Sequence, residues 1–166
     1  MLVVTMGDAN GVGPEIALRA FADGELGGDV RVYGDRSAIA YAAKRLGIAP
    51  EVADALPLTD LGLLRAEDLR PGSVSHEVGA AAVDYVERAT RDALAGAADA
   101  VVTLPINKEA SRGSRREFTG HTEFIAELCG RPPGTMMLAR DRLIVTHVRT
   151  HVSLAEAIRR AQTERI

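Results

Sequence analysis

The stretch LVVTM (2–6), apolar and β-branched, runs straight into the glycine-rich segment MGDANGVGPE (6–15), where Pro14 stands at a first helical position. A short apolar strand that turns directly into a helix is the mark of a parallel sheet buried on both faces by helices. The same alternation then repeats. VRVYG (30–34) is strand-like and precedes SAIAYAAKRLG (37–47), a helix with Ser37 as its cap and Gly47 as its stop. Residues 50–72 show no clear period. Ser75 opens a long helical pattern, HEVGAAAVDYVERATRDALAG; DAVVTLP (99–105) is an apolar strand; TEFIAELCG (122–130) is a helix closed by Gly130; and LIVTHV (143–148) is a further strand. This order predicts an α/β fold with a largely parallel or mixed sheet and its ligand-facing loops at the carboxyl ends of the strands.

With 166 residues, 46% hydrophobic and 26% charged, the chain suffices for one globular region that buries roughly 70% of its unfolded surface. Its net charge of −3, with both signs interspersed, provides no concentrated basic face for nucleic acid. The basic cluster SRGSRRE (111–117) reads as a solvated loop. A single cysteine, Cys129, excludes an intrachain disulfide framework and fits a reducing compartment; its place late in an apolar helical stretch predicts a buried structural thiol. The amino terminus lacks the pattern of a secretory signal, and no apolar segment approaches the roughly 20 residues of a membrane helix. The expectation is a soluble cytoplasmic protein.

Three strand-to-helix junctions carry groups suited to chemistry. In the first, residues 6–15, backbone amides and a helix start offer an anion cradle that includes Asp8; the alternative is a tight turn that needs the positive φ of glycine. It is not a Walker loop, because no Gly-Lys-Ser/Thr follows. In the second, TLPINKEA (103–110), Asn107 and Lys108 set an amide and a cation at the sheet edge, as a carboxylate or phosphate site requires, or else form an ordinary surface loop. In the third, FTGHTEFIAE (118–127), His121 and Thr122 stand at a helix start, with Thr119 or Thr122 as a simple N-cap in the competing reading. Three such junctions on one edge point to a small anionic ligand.

VTHVRTHVSLAEA (145–157) holds two histidines four apart, His147 and His151. On a helix both rings reach one ion, but the interleaved Val and Thr residues favour a strand, on which four residues span roughly 13 Å. The SLAE capping box at Ser153 opens a helix and leaves His151 at a strand end, with His147 deeper in the strand. Any further ligands of a metal would then come from elsewhere in the fold.

Taken in order, MGDANGVGPEI, LPINKEA, FTGHTEFIAE and RTHVSLAEAI resemble the 4-hydroxythreonine-4-phosphate dehydrogenase family of pyridoxal phosphate biosynthesis over nearly the whole chain. The resemblance implies an isocitrate/isopropylmalate-dehydrogenase-like three-layer α/β sandwich, with residues 1–166 forming one region that corresponds to the N-terminal half of a longer enzyme. It implies a homodimer that uses NAD or NADP and a divalent metal (Zn, Mg or Co) to oxidise the secondary alcohol of a phosphorylated substrate, 4-phosphooxy-threonine, to a β-keto acid that loses CO2. By motif, His121 and Thr122 match substrate-binding positions, and His151 matches the first of the family's metal-ligating histidines, while His147 is given no role. Two departures are visible: Gly7-Asp8-Ala9 stands where the family's first loop reads Gly-Asp-Pro, and Arg149 stands where Thr is common. The branch acting on threonate or erythronate 4-phosphate is similarly close, and a half-length paralogue that binds a phosphorylated metabolite or a partner without catalysis is the other alternative. The resemblance further implies that these residues alone do not turn over substrate.

Overall fold

The computed structural model describes residues 1–112, 114, 118–132, 134, 136–147 and 153–160. The chain divides into two compact units, Met1–Arg131 and Pro132–Ile166. In the first, β1 (Leu2–Thr5) leads to α1 (Gly13–Ala22), β2 (Val30–Gly34), α2 (Arg36–Leu46), α3 (Pro50–Ala55), β3 (Leu58–Asp60), a 3-10 turn at Ala66–Asp68, α4 (His76–Leu94), β4 (Ala100–Thr103) and α5 (His121–Leu128). The strands form one parallel sheet in the order β3-β2-β1-β4.

The alternation along each strand decides which layer covers which face. Val4 and Val32 pack with Ala17 and Leu18 of α1 and with Ala38, Ile39 and Ala43 of α2. Their neighbours Val3 and Tyr33 point the other way and pack with Ala89 of α4 and Ala98. The result is the expected three-layer sandwich, with β1 at its centre. Val3 and Val32 are wholly buried, each worth roughly 1.5–3 kcal/mol relative to exposure.

Several local expectations are corrected. Ser37 does not cap α2; Asp35 occupies that position, and the Ser37 hydroxyl donates to Leu64 O at 2.6 Å. Residues 50–72 are not irregular throughout, since they hold α3 and the edge strand β3, whose three residues are too few to show a period. Ser75 caps α4 as expected, accepting from the Val78 amide, and Gly47 closes α2 at φ +67°. Neither Thr119 nor Thr122 caps α5, where Gly120 stands instead. Cys129 is partly buried, because it lies just beyond the last turn of α5 rather than inside the helix.

In the second unit, β5 (Met137–Arg140) pairs antiparallel with β6 (Leu143–Thr146) across a two-residue turn whose Asp141 takes a positive φ of 51°. Asp is among the few residues that tolerate this conformation. β6 ends before His147, which therefore does not lie deep in a strand; its amide donates to Met136 O at 2.9 Å. α6 (Leu154–Arg160) begins after Ser153, whose hydroxyl accepts from the Glu156 amide at 3.3 Å, as the capping box predicts.

One buried polar contact ties the layers together. The Asp35 carboxylate is 0% exposed, accepts from the Leu63 amide at 2.6 Å, and receives a short hydrogen bond from the Tyr85 hydroxyl of α4. Burial, then the charge of Asp35, pushes the Tyr85 hydroxyl far above the usual phenol range, so it remains a donor. Tyr85→Phe strands that acceptor and should destabilise the fold by about 2 kcal/mol in chemical denaturation; a loss below about 0.5 kcal/mol would contradict this role for the contact.

Candidate functional site

β1 and β4 run parallel in the register Leu2↔Ala100 to Thr5↔Thr103, so the loops that leave them start side by side. From β1 the chain turns to β2 on one side, whereas β4 lies on the other. The carboxyl ends of β1 and β4 thus flank a topological switch point, where open α/β sheets leave a crevice for ligands.

The first loop locks onto the second. Gly7 takes φ +71°, and a Cβ there would stand 2.4 Å from Pro105 O and 2.9 Å from Leu104 O, so only glycine lets the two backbones meet. The Asp8 amide donates to Pro105 O at 2.9 Å. The Asp8 carboxylate is 5% exposed and accepts from the Asn10 amide at 2.8 Å, with the Gly11 and Asn107 amides also holding it. Burial raises the Asp8 pKa, and those amides oppose the rise. The amides that the sequence offers to an anion are thus directed at Asp8 itself. Asn10, which the sequence reading left unassigned, extends the support: its side-chain oxygen accepts from the Arg70 amide at 2.7 Å and its carbonyl from Gly72 at 2.8 Å.

In the second loop Asn107 acts on its own backbone. Its Oδ1 accepts from the amides of Glu109 at 2.9 Å and Ala110 at 3.2 Å, closing an Asx-type turn. Lys108 is exposed at the crest of this turn, and its carbonyl accepts from the Ser111 hydroxyl at 3.0 Å. The third loop meets Lys108 there. The ammonium lies 4.0 Å from where a Cβ on Gly120 would be, and Glu123 Oε2 lies 2.8 Å from the same point. The Glu123 carboxylate and the Lys108 ammonium thus flank position 120 directly before α5.

His121 opens α5 with its ring edge-on to the buried Phe118, 5.2 Å between centroids and 89° between planes. Its Nε2 is buried and has no protein partner. Burial, then the Lys108 charge, lowers the pKa below the ordinary 6.5, so at neutral pH the ring is uncharged, with one nitrogen donating and the other accepting. Thr122 is exposed beside it. Lys108, His121 and Thr122 therefore gather at the amino end of α5, where the helix dipole favours an anion, while Asp8 and Asn107 brace the backbone beneath. His151 and Arg149 lie outside the described residues. Among the described residues, no group of three or more His, Cys, Asp or Glu is placed to hold a metal ion.

The architecture is that of an open α/β protein with its polar loops gathered at a switch point. The chain belongs to the family of the pyridoxal phosphate biosynthetic protein PdxA, whose family model matches residues 27–166. It is 38% identical to D-threonate 4-phosphate dehydrogenase of Cupriavidus necator, covering 96% of this chain and 52% of that protein. It is 37% identical to 4-hydroxythreonine-4-phosphate dehydrogenase of Geobacter metallireducens, covering 99% and 53%. The crystal structure of 4-hydroxythreonine-4-phosphate dehydrogenase from Klebsiella pneumoniae superposes with a TM-score of 0.87 at 33% identity, covering 99% of this chain and 55% of that one. The chain spans about half the length of the curated relatives it matches.

The electrostatics yield a direct test. Lys108→Met should raise the His121 titration midpoint, followed by NMR of the ring protons, because it removes the cation that opposes ring protonation. In the wild type the midpoint lies below 6.5, so the unfolded chain takes up the proton first and stability falls as pH drops below 6.5 through the folded value. A midpoint at or above 6.5, unmoved by the substitution, would contradict this arrangement.

Proposed function

We propose that this chain provides the substrate-anchoring part of a metal-dependent NAD(P) oxidoreductase that acts on 4-phosphooxy-threonine, oxidising its secondary alcohol ahead of decarboxylation. The observation that carries the reading is that the Lys108 ammonium lies 4.0 Å from where a Cβ on Gly120 would be, at the amino end of α5, where the buried Nε2 of His121 has no protein partner and the ring feels the Lys108 charge. A cation beside a neutral imidazole and a helix start suits a phosphate or carboxylate next to a hydroxyl, the set of groups a phosphorylated hydroxy acid presents. Lys108 supplies charge, His121 fills its open hydrogen-bond position with a substrate oxygen, and the Thr122 hydroxyl adds a donor or acceptor. Holding the substrate at both ends fixes the reacting carbon for hydride transfer to the nicotinamide.

In this reading the working enzyme is a cytoplasmic homodimer. The divalent cation (Zn, Mg or Co) would be held by His151 together with further ligands outside the described residues, and would supply polarisation of the substrate hydroxyl; the roles of Lys108, His121 and Thr122 do not depend on it. Among the described residues no helix is long and apolar enough to cross a membrane, and the net charge of −3 weighs against a nucleic-acid partner.

A second substrate has a specific observation behind it. The relatives named for D-threonate 4-phosphate reach 38% identity, against 37% for one named for 4-hydroxythreonine-4-phosphate. The two acids differ in an amino group where the other has a hydroxyl, so one polar contact decides between them. The deciding assay is NAD(P) reduction, with and without divalent metal, on 4-phosphooxy-threonine and on threonate and erythronate 4-phosphates, using both the natural polypeptide that contains this sequence and the 166-residue chain. Metal-dependent turnover by the natural polypeptide and none by the short chain are expected, and the best substrate identifies the branch. Binding without turnover by both would favour a non-catalytic paralogue, and neither binding nor turnover would overturn the reading.

A further inference from the structure

The crest that carries Lys108 is not held by its own loop alone. Ala110 and Ser111 are buried, at 0% and 1% exposure, and their backbone lies directly on the first turns of α4. A Cβ on Gly79 would stand 2.2 Å from both the carbonyl carbon and the carbonyl oxygen of Ala110 and 2.6 Å from Ser111 N. Glycine in the interior of a helix costs about 1 kcal/mol relative to alanine, and here its absent side chain forms the seat for the loop. One turn earlier, His76 Nδ1 lies 3.2 Å from Ala110 O. A carbonyl oxygen only accepts, so Nδ1 carries the proton and donates. The seat and the hydrogen bond act on the same peptide unit, two residues beyond Lys108.

We propose that His76 is a positioning residue: by holding Ala110 O in the seat left by Gly79, it sets where the Lys108 ammonium stands relative to His121 and thereby tunes recognition of the phosphorylated substrate. The part of this inference that concerns substrate rests on the proposed function; the part that concerns Lys108 and His121 does not. The turn transmits the constraint rigidly. Ser111 N donates to Asn107 O at 3.0 Å, Ser111 Oγ donates to Lys108 O at 3.0 Å, and Asn107 Oδ1 holds the two intervening amides. With Ala110 fixed, Lys108 has little backbone freedom. Releasing Ala110 O frees the crest to move away from the amino end of α5.

The 166-residue chain contains four histidines, so the His121 ring can be followed by NMR on histidine-labelled protein without any ligand. Four variants are compared with wild type: Lys108→Met, His76→Phe, the two combined, and His76→Asn, whose amide places a donor near the position of Nδ1. His76 is itself exposed, but His76→Phe leaves the carbonyl of the buried Ala110 without this donor, so a modest fall in the melting temperature is expected and the midpoints are compared at a temperature where every variant is folded. The expected result is a His121 midpoint in His76→Phe shifted upward toward that of Lys108→Met, restored in His76→Asn, and not raised further when His76→Phe is added to Lys108→Met. A second readout is the affinity of the same chain for 4-phosphooxy-threonine and threonate 4-phosphate, expected to fall about tenfold in His76→Phe and to recover in His76→Asn for whichever of the two the wild type binds, the scale of one lost charge-assisted contact. A His121 midpoint that moves in Lys108→Met but not in His76→Phe would overturn the proposal, and so would one that moves in neither. Failure of the wild type to bind either 4-phosphooxy-threonine or threonate 4-phosphate, with the midpoints as expected, would strike the proposed function and leave the positioning role standing.

Discussion

The closeness of two loop backbones at the ends of β1 and β4 is the constraint on which the site depends. Gly7 lies against the carbonyls of Leu104 and Pro105 with no room for a Cβ, and the buried Asp8 carboxylate gathers amides from both loops. A buried carboxylate is costly unless its lone pairs are filled, and backbone amides fill them without adding a second charge. The contact forms only because β1 sits in the middle of the sheet and pairs in register with β4. Sheet order, strand register and loop chemistry are therefore one requirement.

On that base the charged and titratable groups are arranged asymmetrically. The carboxylate is turned inward to organise backbone, while the Lys108 cation stays exposed and the neutral His121 ring keeps a buried Nε2 without a protein partner. Phe118 packs edge-on against the His121 ring, and α4 supports the opposing loop through Gly79 and His76. α4 thus serves two functions: its apolar face buries Val3 and Tyr33 of the sheet, and its first turns carry the loop that bears Lys108. The same division of labour is seen at Asp35, where a loop at the carboxyl edge is held by a hydroxyl from α4.

Much of this was legible in the sequence because it depends on local periods. The apolar runs of β1 and β4, the stop at Gly47, the Ser75 cap and the SLAE box each involve residues within a few positions of one another, and each appears where expected. Lys108, His121 and Thr122 were also readable as polar residues at strand-to-helix junctions. What was not legible depends on partners far apart in the chain. Asp8 looked like part of an anion loop, and only the fold shows its carboxylate consumed by the Asn10, Gly11 and Asn107 amides. Ser37 looked like a cap until Leu64 came within reach of its hydroxyl. His76 reaches a carbonyl 34 positions away, which no local pattern reveals. The one available clue was Gly79, a glycine inside a strongly helical stretch, which marks a close backbone approach.

The account stands or falls on where an anion settles. A crystal structure of the protein soaked with 4-phosphooxy-threonine should show its phosphate or carboxylate between Lys108 Nζ and the amino end of α5, with His121 Nε2 in hydrogen-bond contact with the ligand. A ligand bound elsewhere, such as the groove between α2 and α3 lined by Lys44, Ile48 and Asp54, or with Lys108 and His121 untouched, would contradict it.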